Sequence, residues 1–314
     1  MSEGTFGIVG EGQGEMIGFL ASVWRYPVKS MLGEQLDTGL VTGRGLVGDR
    51  AYALVDVEDG KVASAKNPRK WGALLTFQAS FTEPPRSEGD LPPVRITLPD
   101  GSTVRSDDEN VDEVLSKALG REVILTATAS ESQTFEECWP AIEGLAPQEF
   151  IDRTRIDTGD PSEVITELPI SAAAPAGTWF DYAVLHVLST ATLDQLGRLC
   201  PGSRFDTVRY RPNLLVEAAG PGGFIENGWP GRILSIGDRV RIGITIPTPR
   251  CVMTTLSQSG LPSDPATLQA IARFNRLEIP ESGPGWACAG AYADVLTPGL
   301  VCRGDPVILG TAAK

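Results

Sequence analysis

The chain has 314 residues, 41% hydrophobic and 21% charged, with a formal net charge of −13, a composition that fits one large or two ordinary globular domains. The acidic balance argues against a nucleic-acid partner, because neutralising phosphates takes a clustered basic surface. Five cysteines at wide spacing, with no Cys-x-x-Cys pair, argue against a disulfide scaffold, a zinc ribbon or an iron–sulfur cluster and favour a reducing compartment.

Residues 1–15 are glycine-rich, with Glu3, Glu11 and Glu15 and no basic or long apolar stretch, and read as a flexible tail rather than a signal or transit peptide. No apolar run reaches the roughly 18 residues of a membrane span, so a cytoplasmic location without a membrane partner is expected. β-branched and aromatic runs bounded by Gly, Pro and Asp predict strands over 17–26, 50–57, 71–81 and 94–98. A helix is predicted over 108–119, where Val111, Val114, Leu115, Ala118 and Leu119 recur at helical spacing and Gly120 follows as a stop. The stretch 136–176 is rich in Pro, Gly, Thr and acidic residues and reads as a linker or insertion between an N-terminal β unit (16–135) and a C-terminal one (177–310). Beyond it, helices over 190–200 and 264–276, the latter started by Asp264 and Pro265, are set among strands over 213–217, 239–246 and 301–309. The fold class is mainly β with a few helices (α+β), with strands suited to barrels or sandwiches.

Cys251 is the most informative residue. Pro247 and Pro249 fix their own φ and restrict the residues before them, so the thiol is pre-aimed. Arg250 favours the thiolate, the form that binds metals and attacks electrophiles, while Thr254 and Thr255 offer hydroxyls to an oxyanion or oxo group. A cysteine on a buried strand is the competing reading. Lys29 and Ser30 follow a strand, Arg50 opens the next, and Arg211 and Asn213 precede another. Guanidinium forks suit phosphate. Ser189 and Thr190 stand at a helix start, where free N–H groups favour an anion. Taken together these pieces suggest a phosphate-bearing, sulfur-rich or metal-bearing ligand gripped from several loops. His186, in the apolar run Leu185–Leu188, reads as a core residue, and Asp49 as an orienting partner of Arg50.

In their order along one chain, Tyr26–Ser30, Gly45–Arg50 and Ala51–Asp56, then Arg209–Asn213, Trp229–Asp238 and Pro249–Cys251 with Thr254 and Thr255, resemble the MOSC-domain proteins of the amidoxime-reducing type, over about residues 16–310. The resemblance implies an N-terminal MOSC-associated β-barrel domain packed on a MOSC β-barrel domain. It also implies a molybdenum cofactor (Mo-molybdopterin), a pyranopterin with a terminal phosphate and a dithiolene, to which Cys251 adds a third sulfur; a soft thiolate suits such a metal. By the same resemblance Lys29, Ser30, Arg50, Ser189, Thr190, Arg211 and Asn213 contact the cofactor, with Arg250 beside the ligand cysteine. Two segments depart from the family pattern. Pro249 stands where many relatives carry a small polar residue, and Ala65–Arg69 replaces a more acidic version. The implied activity is two-electron reduction of N-oxygenated (N-hydroxylated) small molecules such as amidoximes or hydroxylamines. Electrons would come from a separate reductase, ferredoxin or cytochrome, since no flavin or nicotinamide fingerprint is present. Two further readings share Cys251: a non-catalytic carrier of the cofactor, and a cofactor-free thiol or persulfide sulfur-transfer protein.

Overall fold

Seven strands close into a barrel in the computed structural model, which describes residues 14–312 apart from 131, 161–163, 172, 173, 221 and 281. Of the tail expected over 1–15, residues 1–13 lie outside the described residues, and Glu15 already opens a strand. That strand, Glu15–Arg25, pairs antiparallel with Leu214–Ala218 on one edge and Pro306–Ala312 on the other. Leu185–Ser189 lies parallel to Leu214–Ala218 and antiparallel to Gly283–Thr297, which closes the ring through Val240–Pro249 and Arg232–Ile236. Closure removes the exposed sheet edge that an open array would present. The interior is apolar, with Val23, Val187, Val216, Leu234 and Ile242 fully buried and Leu185–Ser189 buried along its whole length. The fold is mainly β, 38% strand and 19% helix.

Small sheets build the N-terminal unit. Gln78–Phe81, Val94–Thr97 and Thr103–Arg105 form one, and Ala53–Asp56 with Val123–Thr126 another. They enclose a core of their own around Val28, Leu54, Trp71, Leu74 and Phe77. The helix Val111–Leu119 packs against that core through Val111 and Leu115 and stops at Gly120, whose φ of 67° is the left-handed cap that glycine adopts without strain. The apolar run expected as a strand over 71–81 instead begins as helical turns, Pro68–Trp71 and Gly72–Thr76, and only Gln78–Phe81 is extended. Pro68 sits at the first helical position, and Trp71, Leu74 and Leu75 fall on one side at helical spacing.

Other expected boundaries shift for local reasons. The run 301–309 divides at a turn, so Gly299–Cys302 pairs with Thr38–Thr42 while Pro306–Ala312 enters the barrel. The segment 136–176 is ordered more than its composition suggested. Thr134–Cys138 pairs with Ile165–Pro169, and Gln148–Thr154 is helical. The longest strand, Gly283–Thr297, escaped the sequence reading because it is rich in glycine and alanine, which β-propensity disfavours. Burial explains it, since Ala287, Ala289, Ala291 and Ala293 are at most 1% exposed. Helices Thr190–Leu199 and Ala266–Phe274 pack outside the barrel through Leu196, Leu268 and Ile271.

Candidate functional site

The barrel and the N-terminal unit meet at a cleft whose empty volume is about 760 Å³ including its solvent-open mouth. Seven of the sequence-predicted residues line it: Lys29, Ser30, Arg50, Arg211, Asn213, Arg250 and Cys251. Local folding delivers each. Backbone bonds between Lys29 N and Tyr52 O (2.8 Å) and between Tyr52 N and Pro27 O (3.0 Å) hold the turn after the first strand, and the Ser30 hydroxyl accepts from Ala65 N at 3.0 Å. Ser30, Arg50 and Arg211 sit at φ of 65°, 46° and 54°, three of the five non-glycine positive-φ residues among those described. Such backbone costs of order 1–3 kcal/mol each and collects at functional sites.

Asp49 fastens these pieces. Its fully buried carboxylate accepts from Tyr26 N at 2.7 Å and Asn213 Nδ2 at 2.8 Å and pairs with Arg50. Asn213 Oδ1 in turn accepts from His186 N at 3.1 Å. Asn213 and Asp49 are therefore structural ties that aim the arginines. The guanidinium carbons of Arg50 and Arg211 lie 4.6 and 4.2 Å from the Tyr26 ring centroid. Burial and then the charge of Arg50 push Arg211 down to about 10. Arg250 donates to Tyr210 O at 2.8 Å, yet among the described residues its buried Nε and the buried Nη1 of Arg211 have no hydrogen-bond partner. Buried donors without partners cost about 1–3 kcal/mol each, so the cleft is prepared for acceptors that the chain itself does not supply.

Proline shapes the approach to Cys251. The strand Val240–Pro249 runs through Pro247 and Pro249 with register shifts at each, because proline cannot donate to a ladder. The strand ends at Pro249, and Arg250 and Cys251 lead into the turn Val252–Thr255. Burial pushes the Cys251 thiol up, and Lys66 and Arg250 pull against it without prevailing. Expected activation by Arg250 alone is thus outweighed by desolvation, which favours a ligand that loses its proton to a metal over a free nucleophile. Thr254 and Thr255 bond within their own turn. Their hydroxyls donate to Cys251 O (3.1 Å) and Val252 O (2.7 Å).

Ser189 and Thr190 are not brought to the cleft. Ser189 caps the helix Thr190–Leu199, accepting from Thr192 N at 3.2 Å, and Ala218 N donates to Thr190 Oγ1 at 3.3 Å. The anion suited to that helix start is internal: Glu226 accepts from Ser189 N at 2.6 Å and from the Thr192 hydroxyl.

Sequence reasoning did not anticipate an ion chain along the other wall. Lys29 donates to Trp179 O at 3.0 Å and pairs with Asp181, which also pairs with Lys66 at 3.2 Å; Lys66 reaches Glu137 at 3.2 Å. Burial would raise the Asp181 carboxyl, but Lys29 and Lys66 outweigh it and hold it well below the usual carboxylate range. Burial pushes the Glu137 carboxyl up against Lys66. Lys66 belongs to Ala65–Arg69, the segment that departs from the family pattern, and that departure was the available signal. His186 also lines the cleft; burial pushes it well below its ordinary value, so it is neutral, and its Nε2 has no hydrogen-bond partner among the described residues. Gly290, at φ 85°, permits this packing, since a Cβ there would come within 2.3 Å of that nitrogen.

Comparison with known proteins agrees with this architecture. The MOSC N-terminal beta barrel domain family matches residues 17–122, and the MOSC domain family matches residues 177–308. Mitochondrial amidoxime-reducing component 1 of Homo sapiens is 23% identical over 315 residues, spanning 94% of this chain and 84% of that protein. The crystal structure of the YuaD protein from Bacillus subtilis superposes with a TM-score of 0.44 at 11% identity, covering 95% of this chain and 98% of the other. That of YiiM from Geobacillus stearothermophilus gives 0.30 at 16% identity, over 41% of this chain and 55% of the other. Among the described residues no helix is long and apolar enough to cross a membrane. The two matched domains, in this order and on this barrel, place the chain in the MOSC family, as a two-domain member distantly homologous to the amidoxime-reducing component.

Proposed function

We propose that this chain binds a molybdenum cofactor through Cys251 and the cleft arginines and reduces N-oxygenated small molecules with electrons from a separate donor protein. The observation that carries this reading is the cluster of Arg50, Arg211 and Arg250 around Tyr26 and Tyr210, with buried guanidinium atoms left without acceptors in a chain whose net charge is −13. Such a cluster fits a phosphate-bearing anion, for which guanidinium forks are the natural partners. The thiol of Cys251 opens into the same cleft, which fits a soft metal beside that anion. Arg50, Arg211 and Arg250 would hold the phosphate-bearing part, with Lys29 and Ser30 at the barrel-facing turn and Cys251 as the protein's ligand to the metal.

When bound, the cofactor supplies a two-electron exchange that reduces an N–O bond with release of water, chemistry no side chain provides. The chain's own residues orient and shield. Asp49 and Asn213 keep the guanidiniums aimed, while His186 is neutral and the Tyr292 hydroxyl, pushed up to about 12 by burial, stays protonated near neutral pH. Support for the reductase reading over a pure carrier comes from the distant homology to an amidoxime-reducing protein. Against the cofactor-free thiol reading stands the raised Cys251 thiol, since a thiol held protonated is a weak nucleophile. Purified protein supplied with reduced viologen is expected to convert an amidoxime to the amidine, and NADH alone to do nothing. Molybdenum-loaded protein inert toward a panel of N-hydroxylated compounds would favour the carrier.

A further inference from the structure

Beside the cleft lies a second cavity, whose empty volume including its solvent-open mouth is about 1000 Å³, larger than the cleft on the same measure and at the upper end of the range of small-molecule sites. One end is aromatic. Trp139, Phe150 and Trp286 pack edge to face, with centroids 6.0 Å (Trp139–Phe150), 6.3 Å (Trp139–Trp286) and 4.8 Å (Phe150–Trp286) apart. Both indole N–H groups are engaged internally, Trp139 with Thr166 Oγ1 at 2.9 Å and Trp286 with Ser282 O at 3.1 Å. Neither ring therefore offers a free donor, and this end of the cavity accepts only an apolar body. Leu168 and Ile246 add to the apolar lining.

Charged groups line the cavity as well. Lys66, Asp181 and Arg250 line both this cavity and the Cys251 cleft, as do Tyr182 and Tyr292, whose rings stack at 5.5 Å. Glu137 lines the cavity and reaches Lys66 at 3.2 Å. The two spaces thus share one polar wall. A molecule seated here has its body among aromatic rings and its polar head against that wall, toward Cys251.

We propose that this cavity is the substrate chamber and that it selects N-oxygenated compounds carrying a flat aromatic body over small aliphatic ones. The inference rests on the function proposed above and adds Trp139, Phe150, Leu168 and Trp286 to the residues that reading uses. Edge-to-face rings favour a π face over a flexible alkyl chain of similar area, and a chamber with one polar end orients as well as selects.

Titrating the protein, with and without molybdenum, with 2-naphthamidoxime and with acetamidoxime tests this directly, because the two share a head and differ only in body. Calorimetry and the fluorescence of Trp139 and Trp286 report binding without requiring turnover. The naphthyl compound is expected to bind at least about tenfold more tightly in both forms, a difference of about 1.4 kcal/mol. Trp286→Ala removes a wall and Leu168→Trp fills the space; each should bring the ratio down to within about threefold, mainly by weakening the naphthyl compound. A ratio near one in the unaltered protein overturns the proposal, as does an undiminished ratio in a folded Leu168→Trp variant. Preserved naphthyl preference in a chain that never takes up molybdenum would remove the proposed function and leave the chamber. Equal binding and turnover of both compounds would do the reverse.

Discussion

Two places in this fold gather donors suited to an anion, and they are completed differently. At the start of the helix Thr190–Leu199, Ser189 N and the Thr192 hydroxyl meet the Glu226 carboxylate. At the cleft, Arg50 shares Asp49 with Asn213, while Arg211 Nη1 and Arg250 Nε meet nothing among the described residues. The first arrangement closes on itself and is structural. The second is left open, and an open set of buried donors is where an external anion stabilises the protein most.

The contrast predicts opposite phenotypes. Glu226→Ala leaves two buried donors without an acceptor and should lower stability by about 2–4 kcal/mol, while the folded fraction keeps its molybdenum; chemical denaturation and metal analysis together check this. Loss of metal at unchanged stability would show that the helix start belongs to the site after all.

Asp181→Asn tests the ion chain beside the cleft and should cost about 1.5–3 kcal/mol near neutral pH. The native carboxyl is depressed, so its contribution is present in full above the ordinary carboxylate value of about 3.9 and is lost as pH falls below it. Denaturation curves of the two proteins should therefore differ by a constant amount from neutral pH to about pH 5 and converge in stronger acid. A gap that widens below pH 4 would contradict the sign.

Arg50→Ala and Arg211→Ala should each weaken cofactor retention by about one to two powers of ten. Stability of the metal-free protein should scarcely fall for Arg211→Ala, because the variant relieves the crowding that burial and Arg50 impose. Arg121→Ala serves as a control. Arg121 pairs with the buried Asp56 at 2.7 Å in the N-terminal unit, so a modest stability loss with unchanged retention is expected.

The same contrast explains what was legible in the sequence. Cys251, Arg50 and Arg211 were visible because neighbouring prolines, charge and a position at the start of a strand are local features of the sequence. Ser189 and Thr190 carried an equally good local signal, a helix start. Glu226, 37 residues from Ser189 in sequence, had already filled that position, and only tertiary pairing shows it. Lys66, Asp181 and Glu137 were missed for the same reason, since nothing near any of them in sequence indicates the others. The barrel was readable as a class but not as a topology. Its longest strand, Gly283–Thr297, is built of small residues whose extended form is set by burial and by the approach of His186 to Gly290.

Cys251 is the residue on which the whole account turns, and X-ray absorption at the molybdenum edge examines it most directly. Protein isolated from a host that makes the cofactor should carry about one molybdenum per chain, and Cys251→Ser should lose one sulfur from the metal's coordination while Cys200→Ser loses none. An unaltered chain without molybdenum, or the same sulfur count in the unaltered chain and in Cys251→Ser, would contradict the assignment of the cleft as a molybdenum-cofactor site.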